Sequence, residues 1–173
     1  MHAQTRFIAF ALFLACAQYV AAQAESPGGQ KASFTMSISL VHGTVKPGSE
    51  VPVTVEATNT SAGPFDFIIA RGGASLYTIQ VFDSAGKAVP LTPFGAALQR
   101  GRYLHEEGKP PRVLVGSAGG HTIAPGETAK DMVDLDERFD LSKPGSYTVQ
   151  LERLDPATKL TVKSNIVTLT VAN

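Results

Sequence analysis

The fold is indicated most clearly by one segment, Leu141-Ser142-Lys143-Pro144-Gly145-Ser146-Tyr147-Thr148-Val149-Gln150-Leu151. Pro144 holds its φ at about −65° and Gly145 accepts positive φ, so residues 143–146 are predicted to form a type II turn. Apolar and polar residues then alternate, which predicts a half-buried strand. The segment therefore predicts how the backbone is built and contains no catalytic group.

The spacing around Tyr147 predicts a tyrosine corner. Gly145 lies two residues before Tyr147, and Tyr147 lies two residues before the apolar Val149. In immunoglobulin-like sandwiches this pattern marks the start of strand F, where the phenol hydroxyl bonds to the backbone a few residues upstream. Antibody domains have a cysteine at the position of Val149 and a tryptophan in the core, and this chain has neither. The spacing predicts the architecture without the antibody disulfide.

Alternation predicts further strands along the chain. They cover residues 34–41, 51–58, 76–82, 88–91, 112–115, 132–135 and 160–171, and the apolar run 65–69 is either a short strand or a plug. Turns between them are marked by Pro47, Gly48, Pro125 and Gly126. Seven or eight short strands without a convincing helix predict an all-β fold, a two-layer antiparallel immunoglobulin-like β-sandwich.

The least regular part is residues 92–120, which are rich in glycine and proline. They predict long loops around one helical turn at residues 96–100 and one short strand at residues 112–115. Loops of this length on a compact scaffold are usually functional or disordered. Arginine and tyrosine are typical interface anchors, so the candidate binding residues are Arg100, Arg102, Tyr103, His105 and Arg112.

Residues 1–24 are predicted to form a signal peptide. Arg6 precedes an apolar run, and Ala22-Gln23-Ala24 offers a cleavage site. Cys16 lies within this leader, but Phe13 stands where a lipobox has leucine, which favours a signal peptide over a lipid anchor. We expect a protein exported to the bacterial periplasm or exterior, with a flexible leader at residues 25–32 and one domain at residues 33–173.

Composition excludes several classes of partner. The chain has 15 basic and 15 acidic residues, no Trp and one Cys, which lies in the leader. Balanced charge gives no electrostatic case for nucleic acid or for a membrane surface, and no apolar run is long enough to span a bilayer. No cofactor motif is present. The exported chain cannot form a disulfide, so packing and hydrogen bonds must stabilise it.

The chain resembles the small, secreted, immunoglobulin-like β-sandwich proteins of bacteria over about Phe34 to Val171. The motifs that carry the resemblance are structural: Lys46-Pro47-Gly48-Ser49-Glu50-Val51 with Asn59-Thr60-Ser61, Ala124-Pro125-Gly126-Glu127, and residues 140–150 with Lys163-Ser164-Asn165. Similar sandwiches occur in proteinase-inhibitor-like proteins and as accessory or pro-domains of secreted peptidases. The resemblance therefore implies an interaction protein.

Histidines and glutamates offer a candidate metal or acid–base cluster at His105-Glu106-Glu107, with His42 and His121 elsewhere. A zinc helix needs two histidines four residues apart around a glutamate, and this spacing is absent. The pattern favours a solvated polar loop.

A carboxylate-rich stretch, Asp131, Asp134, Asp136, Glu137 and Asp140, contains the oxygen ligands that calcium prefers. It lacks a glycine-turned ligand loop, and alternation places Asp134 and Asp136 opposite the apolar face. A solvated outer face is favoured.

Ser117 lies between glycine-rich residues near His121, a pattern that resembles the surroundings of a hydrolase nucleophile. The nucleophile elbow, however, needs Gly-x-Ser-x-Gly between a strand and a helix. A flexible hairpin tip at residues 116–121 is favoured.

Asn59-Thr60-Ser61 satisfies the glycosylation sequon, but a polar strand end is the favoured role.

These observations predict a non-enzymatic, exported binding module. Its partner would be another protein or a cell-envelope component, bound through residues 92–120, with no cofactor, no metal and no catalytic residue. The alternative is a secreted proteinase inhibitor that acts through the same loops. Specificity and oligomeric state depend on loop shapes and are left open.

Overall fold

A computed structural model describes residues 29, 31–72, 76–100, 103, 104, 107–110, 112, 113 and 116–173, and of residues 70–72, 103, 104 and 112 it describes the backbone alone. The predicted signal peptide lies outside these residues. The strands are β1 (Phe34–Leu40), β2 (Thr44–Val45), β3 (Pro52–Asn59), β4 (Phe65–Gly72), β5 (Thr78–Asp83), β6 (Tyr103–Leu104), β7 (Arg112–Val113), β8 (Gly116–Ile123), β9 (Thr128–Asp134), β10 (Gly145–Leu154), β11 (Thr161–Lys163) and β12 (Val167–Val171). The helix is α1 (Pro93–Gln99). The all-β prediction is confirmed, with this short helix added. Within the described ranges, no helix has the length and apolar character to cross a membrane.

The first sheet has three antiparallel strands in the order β1, β3, β9. Its register pairs Phe34 with Asn59 at one end and Leu40 with Val53 at the other. Successive side chains of a strand point to opposite faces, so the valines and isoleucines of this sheet face inward and its serines and threonines face outward.

The second sheet is built around β10, which pairs with β5 along one edge and with β12 and β11 along the other. β2 extends the sheet in parallel with β12, so the prediction of purely antiparallel pairing is wrong at this pair. The predicted last strand, 160–171, is divided into β11 and β12. Ser164 lies at the break, where its hydroxyl accepts a hydrogen bond of 3.0 Å from the Leu151 amide.

The buried faces of both sheets belong to one hydrophobic cluster. Its largest fully buried side chains are Phe34, Phe67, Leu135, Leu151, Leu169, Val51, Val53, Val55, Val149 and Val171. Since the chain has a single cysteine and cannot form an internal disulfide, burial of this apolar area is the main favourable contribution to folding.

A third sheet consists of β4 and β8, which are antiparallel. Phe65 lies opposite Ile123 at one end of the pair, and Gly72 lies opposite Gly116 at the other. The strand alternative for residues 65–69 is confirmed, and the predicted hairpin tip at residues 116–121 is wrong because these residues pair with β4.

Asn59 joins this third sheet to the first. Its amide nitrogen donates to the carbonyls of Gly63 and Ile123 at 2.9 Å each, and the residue is 1% exposed. The amide of the sequon is therefore occupied inside the fold, which agrees with the polar strand-end role.

The predicted tyrosine-corner hydrogen bond is confirmed. The Tyr147 hydroxyl donates to the Lys143 carbonyl at 2.6 Å. The type II turn is wrong, because Gly145 does not have positive φ and is the first residue of β10, paired with Val171. Positive φ occurs instead at Gly48 and Gly126, 75° and 82°, where Pro47 and Pro125 precede the predicted turns.

Two polar side chains connect the first sheet to the second. Asn165 accepts a hydrogen bond from the Ile38 amide at 2.8 Å and donates to the Ile38 carbonyl at 3.1 Å, as a neighbouring strand would. Asp155, after β10, accepts from the amide and hydroxyl of Ser33 at 2.7 and 2.6 Å. Both contacts cover the edge of β1 that does not pair with β3, and they protect that edge from pairing with a strand of another molecule.

Candidate functional site

Helix α1 is fixed to the body of the protein at its first turn. The Thr92 side chain caps it, accepting from the Gly95 amide at 3.1 Å. The same hydroxyl donates to the Glu137 carbonyl, and the Thr92 amide donates to the Arg138 carbonyl at 3.0 Å. A Cβ on Gly95 would lie 2.2 Å from the Arg138 carbonyl oxygen, so only glycine allows this approach.

A cleft of about 230 Å³ opens between α1 and the β5 side of the second sheet. Its apolar lining consists of Ile79, Leu91, Leu98 and Phe139, and its polar lining includes Tyr77, Thr78, Gln99 and Arg138. Clefts that combine apolar walls with a few polar groups are the usual form of binding sites.

A second hollow, of about 410 Å³, lies against Asp66, Ile68 and the small residues Ala118, Gly119 and Gly120. All five residues belong to the two-stranded β4–β8 sheet, so this is a depression on one surface and not a space between elements. The cleft beside α1 is therefore the stronger candidate site.

A buried polar network includes Tyr77, one of the residues that line the cleft. The Tyr77 hydroxyl donates to Asp131 Oδ2 at 2.9 Å and accepts from Arg153 at 3.3 Å. Arg153 also donates to the Ile68 carbonyl at 2.7 Å, with its guanidinium 4.0 Å from the centre of the Phe67 ring. This network fixes the position of Tyr77 and joins β4 to β9 and β10.

Burial raises the pKa of Tyr77 far above its usual range; the Asp131 carboxylate raises it further, while Arg153 opposes the shift. The phenol is thus neutral at every physiological pH.

Asp131 is 4% exposed, so the predicted solvated outer face is wrong for this carboxylate. It is correct for Asp134, which is exposed opposite the buried Val133.

Arg138 supplies the cation of the cleft. Burial lowers its pKa, and the carboxylates of Glu137 and Asp134 oppose that shift. Burial, followed by the charges of Asp134 and Asp136, raises the pKa of Glu137. An arginine stays charged in proteins. Among the described residues, the lining therefore combines the Arg138 guanidinium with hydrogen-bonding groups, a set suited to holding a ligand.

The structure places three of the five predicted binding residues and brings two of them together. Arg100 is the exposed C-cap residue of α1. In the β6–β7 pair, Leu104 faces Arg112 and Tyr103 faces Val113, so Tyr103 and Arg112 lie on neighbouring strands. Arg102 and His105 lie outside the described residues. The predicted long loop at residues 92–120 is wrong in part, because it contains α1, this small hairpin and β8.

The residues considered for metal binding or catalysis do not converge where the structure describes them. His105 and Glu106 lie outside the described residues, and His42 and His121 are exposed on separate segments. Among the described residues, no three His, Cys, Asp or Glu side chains are grouped to hold a metal ion. Ser117 is on β8, opposite Arg71.

Most cleft residues were missed from the sequence. Tyr77, Leu98, Arg138 and Phe139 come from three segments that only the fold brings together. One local signal was available: Thr92 followed by Pro93 is the usual start of a helix, with a capping residue before proline at the first position. That signal predicts where the helix begins, but not what it covers.

No protein-family model matches the chain, and no curated protein matches it. Among solved structures, the chain is similar to the β-glucosidase EmGH1 from Erythrobacter marinus, with 12% identity and a TM-score of 0.40, over 80% of this chain and 16% of that one. It is also similar to Spo0M, a sporulation control protein from Bacillus subtilis, with 14% identity and a TM-score of 0.42, over 83% of this chain and 51% of that one. The chain thus spans about half of Spo0M and a smaller share of the glucosidase. Similarities this distant carry no argument about function.

Proposed function

We propose that the protein is a non-enzymatic binding module, exported to the bacterial cell envelope or exterior, which holds a partner in the cleft between α1 and β5. The observation that carries the proposal is the fixed position of α1. Thr92 and Gly95 hold the helix against the Arg138 backbone, so that a cleft of about 230 Å³ is kept open beside a packed core. A preformed site of this kind binds without first ordering a loop.

An immunoglobulin-like sandwich is the proposed architecture. The order β1, β3, β9 corresponds to strands A, B and E of that fold, and β5, β10, β12 to strands C, F and G. The tyrosine corner at Tyr147 on β10, the proposed strand F, supports the same assignment. In such folds, segments inserted between strands commonly carry the binding function.

The chemistry of the lining supports binding rather than proton transfer. Tyr77 is held neutral by its raised pKa, and Arg138 is a permanent cation. General acid–base catalysis needs a group with a pKa near the working pH. Gln99 and Thr78 add hydrogen-bonding groups that do not titrate.

The proposal is tested by capture from a bacterial envelope extract with immobilised protein. Leu98→Gln places a polar side chain in the apolar part of the cleft, and we expect it to abolish capture. Met132→Gln is the matched control, since Met132 is 45% exposed on the outer face of β9 and is not part of the cleft. Equal capture by both variants, with unchanged melting temperatures, would show that the cleft is not the binding site.

The secreted proteinase inhibitor is kept as a second proposal because of the β6–β7 hairpin. Residues 107–110, between these strands, are all exposed, and Gly108 has a φ of 74°. An exposed hairpin turn is the kind of segment that enters a protease cleft. Incubation with serine, cysteine and metalloproteases is the test: stoichiometric inhibition with an intact chain supports this function, and cleavage between residues 92 and 115 without inhibition rejects it.

A further inference from the structure

We infer that the cleft beside α1 binds a small amphipathic monocarboxylate, which is an apolar body that carries one carboxylate group. The inference rests on the proposed function, because it names the class of ligand for the same cleft. Three properties of the lining support it: the size of the space, the apolar character of the walls and the sign of the charge beside them.

The size and the walls of the cleft define the apolar part of the ligand. A dry apolar cavity of about 150 Å³ accommodates a benzene ring, and the space beside α1 measures about 230 Å³. Ile79, Leu91 and Leu98 line it and are only partly buried. A ligand that covers these side chains removes apolar surface from water, which favours binding. The space therefore suits a body somewhat larger than one benzene ring.

The charge of the lining favours an anion over a cation. Arg138 lines the cleft, and no acidic side chain is among the described residues that line it. Burial is the largest influence on the pKa of Arg138 and lowers it, because the guanidinium has lost part of its hydration. Charge-assisted hydrogen bonds to a ligand carboxylate would replace that hydration. An arginine has five N–H donors, so it can hold ligand oxygens in addition to groups of its own chain.

Carboxylates near Arg138 limit the ligand to a single negative charge. Glu137, Asp134 and Asp131 each raise the pKa of Arg138, so all three act on the guanidinium. The two oxygens of Asp131 accept from the Tyr77 hydroxyl at 2.9 Å and from the Met132 amide at 2.8 Å. Like charges at short range repel, so these carboxylates oppose a second negative charge on the ligand. Phosphate esters and other polyanions are therefore disfavoured relative to a monocarboxylate.

Two neutral side chains suit the head of such a ligand. Thr78, on β5, and Gln99, at the end of α1, line the cleft and are exposed. A hydroxyl and an amide both donate hydrogen bonds, and an ionised carboxylate has about four acceptor sites. Arg138 would supply the charge, while these two groups supply further donors that do not titrate.

The test titrates the purified protein with three compounds that share a terminal phenyl ring on a three-carbon chain and differ in charge: phenylpropanoate, phenylpropanol and phenylpropylamine. Changes in the backbone amide NMR shifts of Ile79 and Leu98 give the dissociation constants for the cleft. We expect the acid to bind about tenfold or more tightly than the alcohol, because hydrogen bonds to charged groups are stronger than neutral ones. The amine should bind most weakly of the three. Equal binding of the acid and the alcohol would overturn the inference.

Arg138→Gln removes the guanidinium and keeps the backbone carbonyl that bonds to the Thr92 amide. It should weaken binding of the acid about tenfold or more and leave binding of the alcohol unchanged. Lys130→Gln is the matched control, since it also removes one positive charge, from an exposed side chain of β9 that pairs with Glu56 at 2.8 Å. If Arg138→Gln does not fold, the comparison of the acid with the alcohol and the amine on the wild type decides alone.

The source of the carboxylate is tested with a hexapeptide that ends in phenylalanine and so presents the same ring and head group. Binding of this peptide more than about tenfold tighter than phenylpropanoate would overturn the small acid as the ligand. Failure of all the compounds to bind, while Leu98→Gln loses envelope capture, would overturn the inference and leave the proposed function in place. Envelope capture that persists in Leu98→Gln would instead reject the proposed function itself.

Discussion

Asp155 offers a quantitative test of how polar contacts stabilise this fold. The residue is fully buried, and its Oδ2 accepts from the Ser33 amide at 2.7 Å, the Ser33 hydroxyl at 2.6 Å and the Thr158 hydroxyl at 2.7 Å. Its Oδ1 accepts from the Ala157 amide at 3.0 Å. Asp155→Asn keeps the shape but replaces one acceptor oxygen by an NH₂ group that faces donors.

The pKa of Asp155 gives the expected magnitude. Burial alone would raise this pKa, but the hydrogen bonds from Ser33, Thr158 and Ala157 outweigh it and lower the pKa from 3.8 to about 2. One pKa unit is about 1.4 kcal/mol, so the ionised carboxylate contributes about 2 kcal/mol to the free energy of unfolding. Because the folded-state value is depressed, this contribution is complete above about pH 4 and is lost as the pH falls to about 2.

Urea denaturation of the wild type and of Asp155→Asn, at a series of pH values from 7 to 2, measures this contribution. We expect the wild type to be more stable at pH 7 and the difference to shrink by about 2 kcal/mol below pH 4. Asp134→Asn, at an exposed carboxylate of β9, is the control for general acid effects. A difference between wild type and Asp155→Asn that stays constant from pH 7 to pH 2 would refute the reasoning.

Three further substitutions test the fold. Tyr147→Phe removes the 2.6 Å hydrogen bond to the Lys143 carbonyl and should cost about 1 kcal/mol in thermal denaturation; an unchanged melting temperature would contradict the tyrosine corner. Gly95→Ala should lower the free energy of unfolding by about 1–3 kcal/mol, because its Cβ would lie 2.2 Å from the Arg138 carbonyl oxygen. Gly145→Ala is the control: its Cβ would lie 3.8 Å from the Tyr147 ring, so it should change stability by less than about 1 kcal/mol. Equal losses in the two variants would disprove the close approach of α1. Asn59→Ala removes the amide that donates to the Gly63 and Ile123 carbonyls and should cost about 1–3 kcal/mol. A neutral effect in urea denaturation would count against the buried role of that amide.

The fold was predictable where period and turn chemistry agree. Valines at every second position gave the strand from 51 to 58, and β3 spans Pro52–Asn59. Pro47-Gly48 and Pro125-Gly126 gave turns whose glycines have positive φ. The same chemistry misled at Pro144-Gly145, since strand pairing of Gly145 with Val171 overrides the local preference for a turn.

Chain direction and side-chain partners were less predictable. The short parallel pair of β2 with β12 is set by where the chain returns, which no local pattern specifies. The glycines of β8 are typical of turns, yet eight consecutive residue pairs join this strand to β4. Asp131 lies at an inward position of β9, where alternation predicts an apolar residue, and it is retained there by its bond to Tyr77.

The candidate site arises where the local rules of strand pairing fail. The pairing of residues 87–89 with β5 ends at Val89, and Gly95 lets α1 approach the Arg138 backbone more closely than any other residue would allow. The first feature leaves Ile79 and Leu91 in the lining of the cleft, and the second places α1 against the same cleft. Proteins tolerate such local departures mainly at functional sites, because elsewhere an open edge costs stability and invites aggregation.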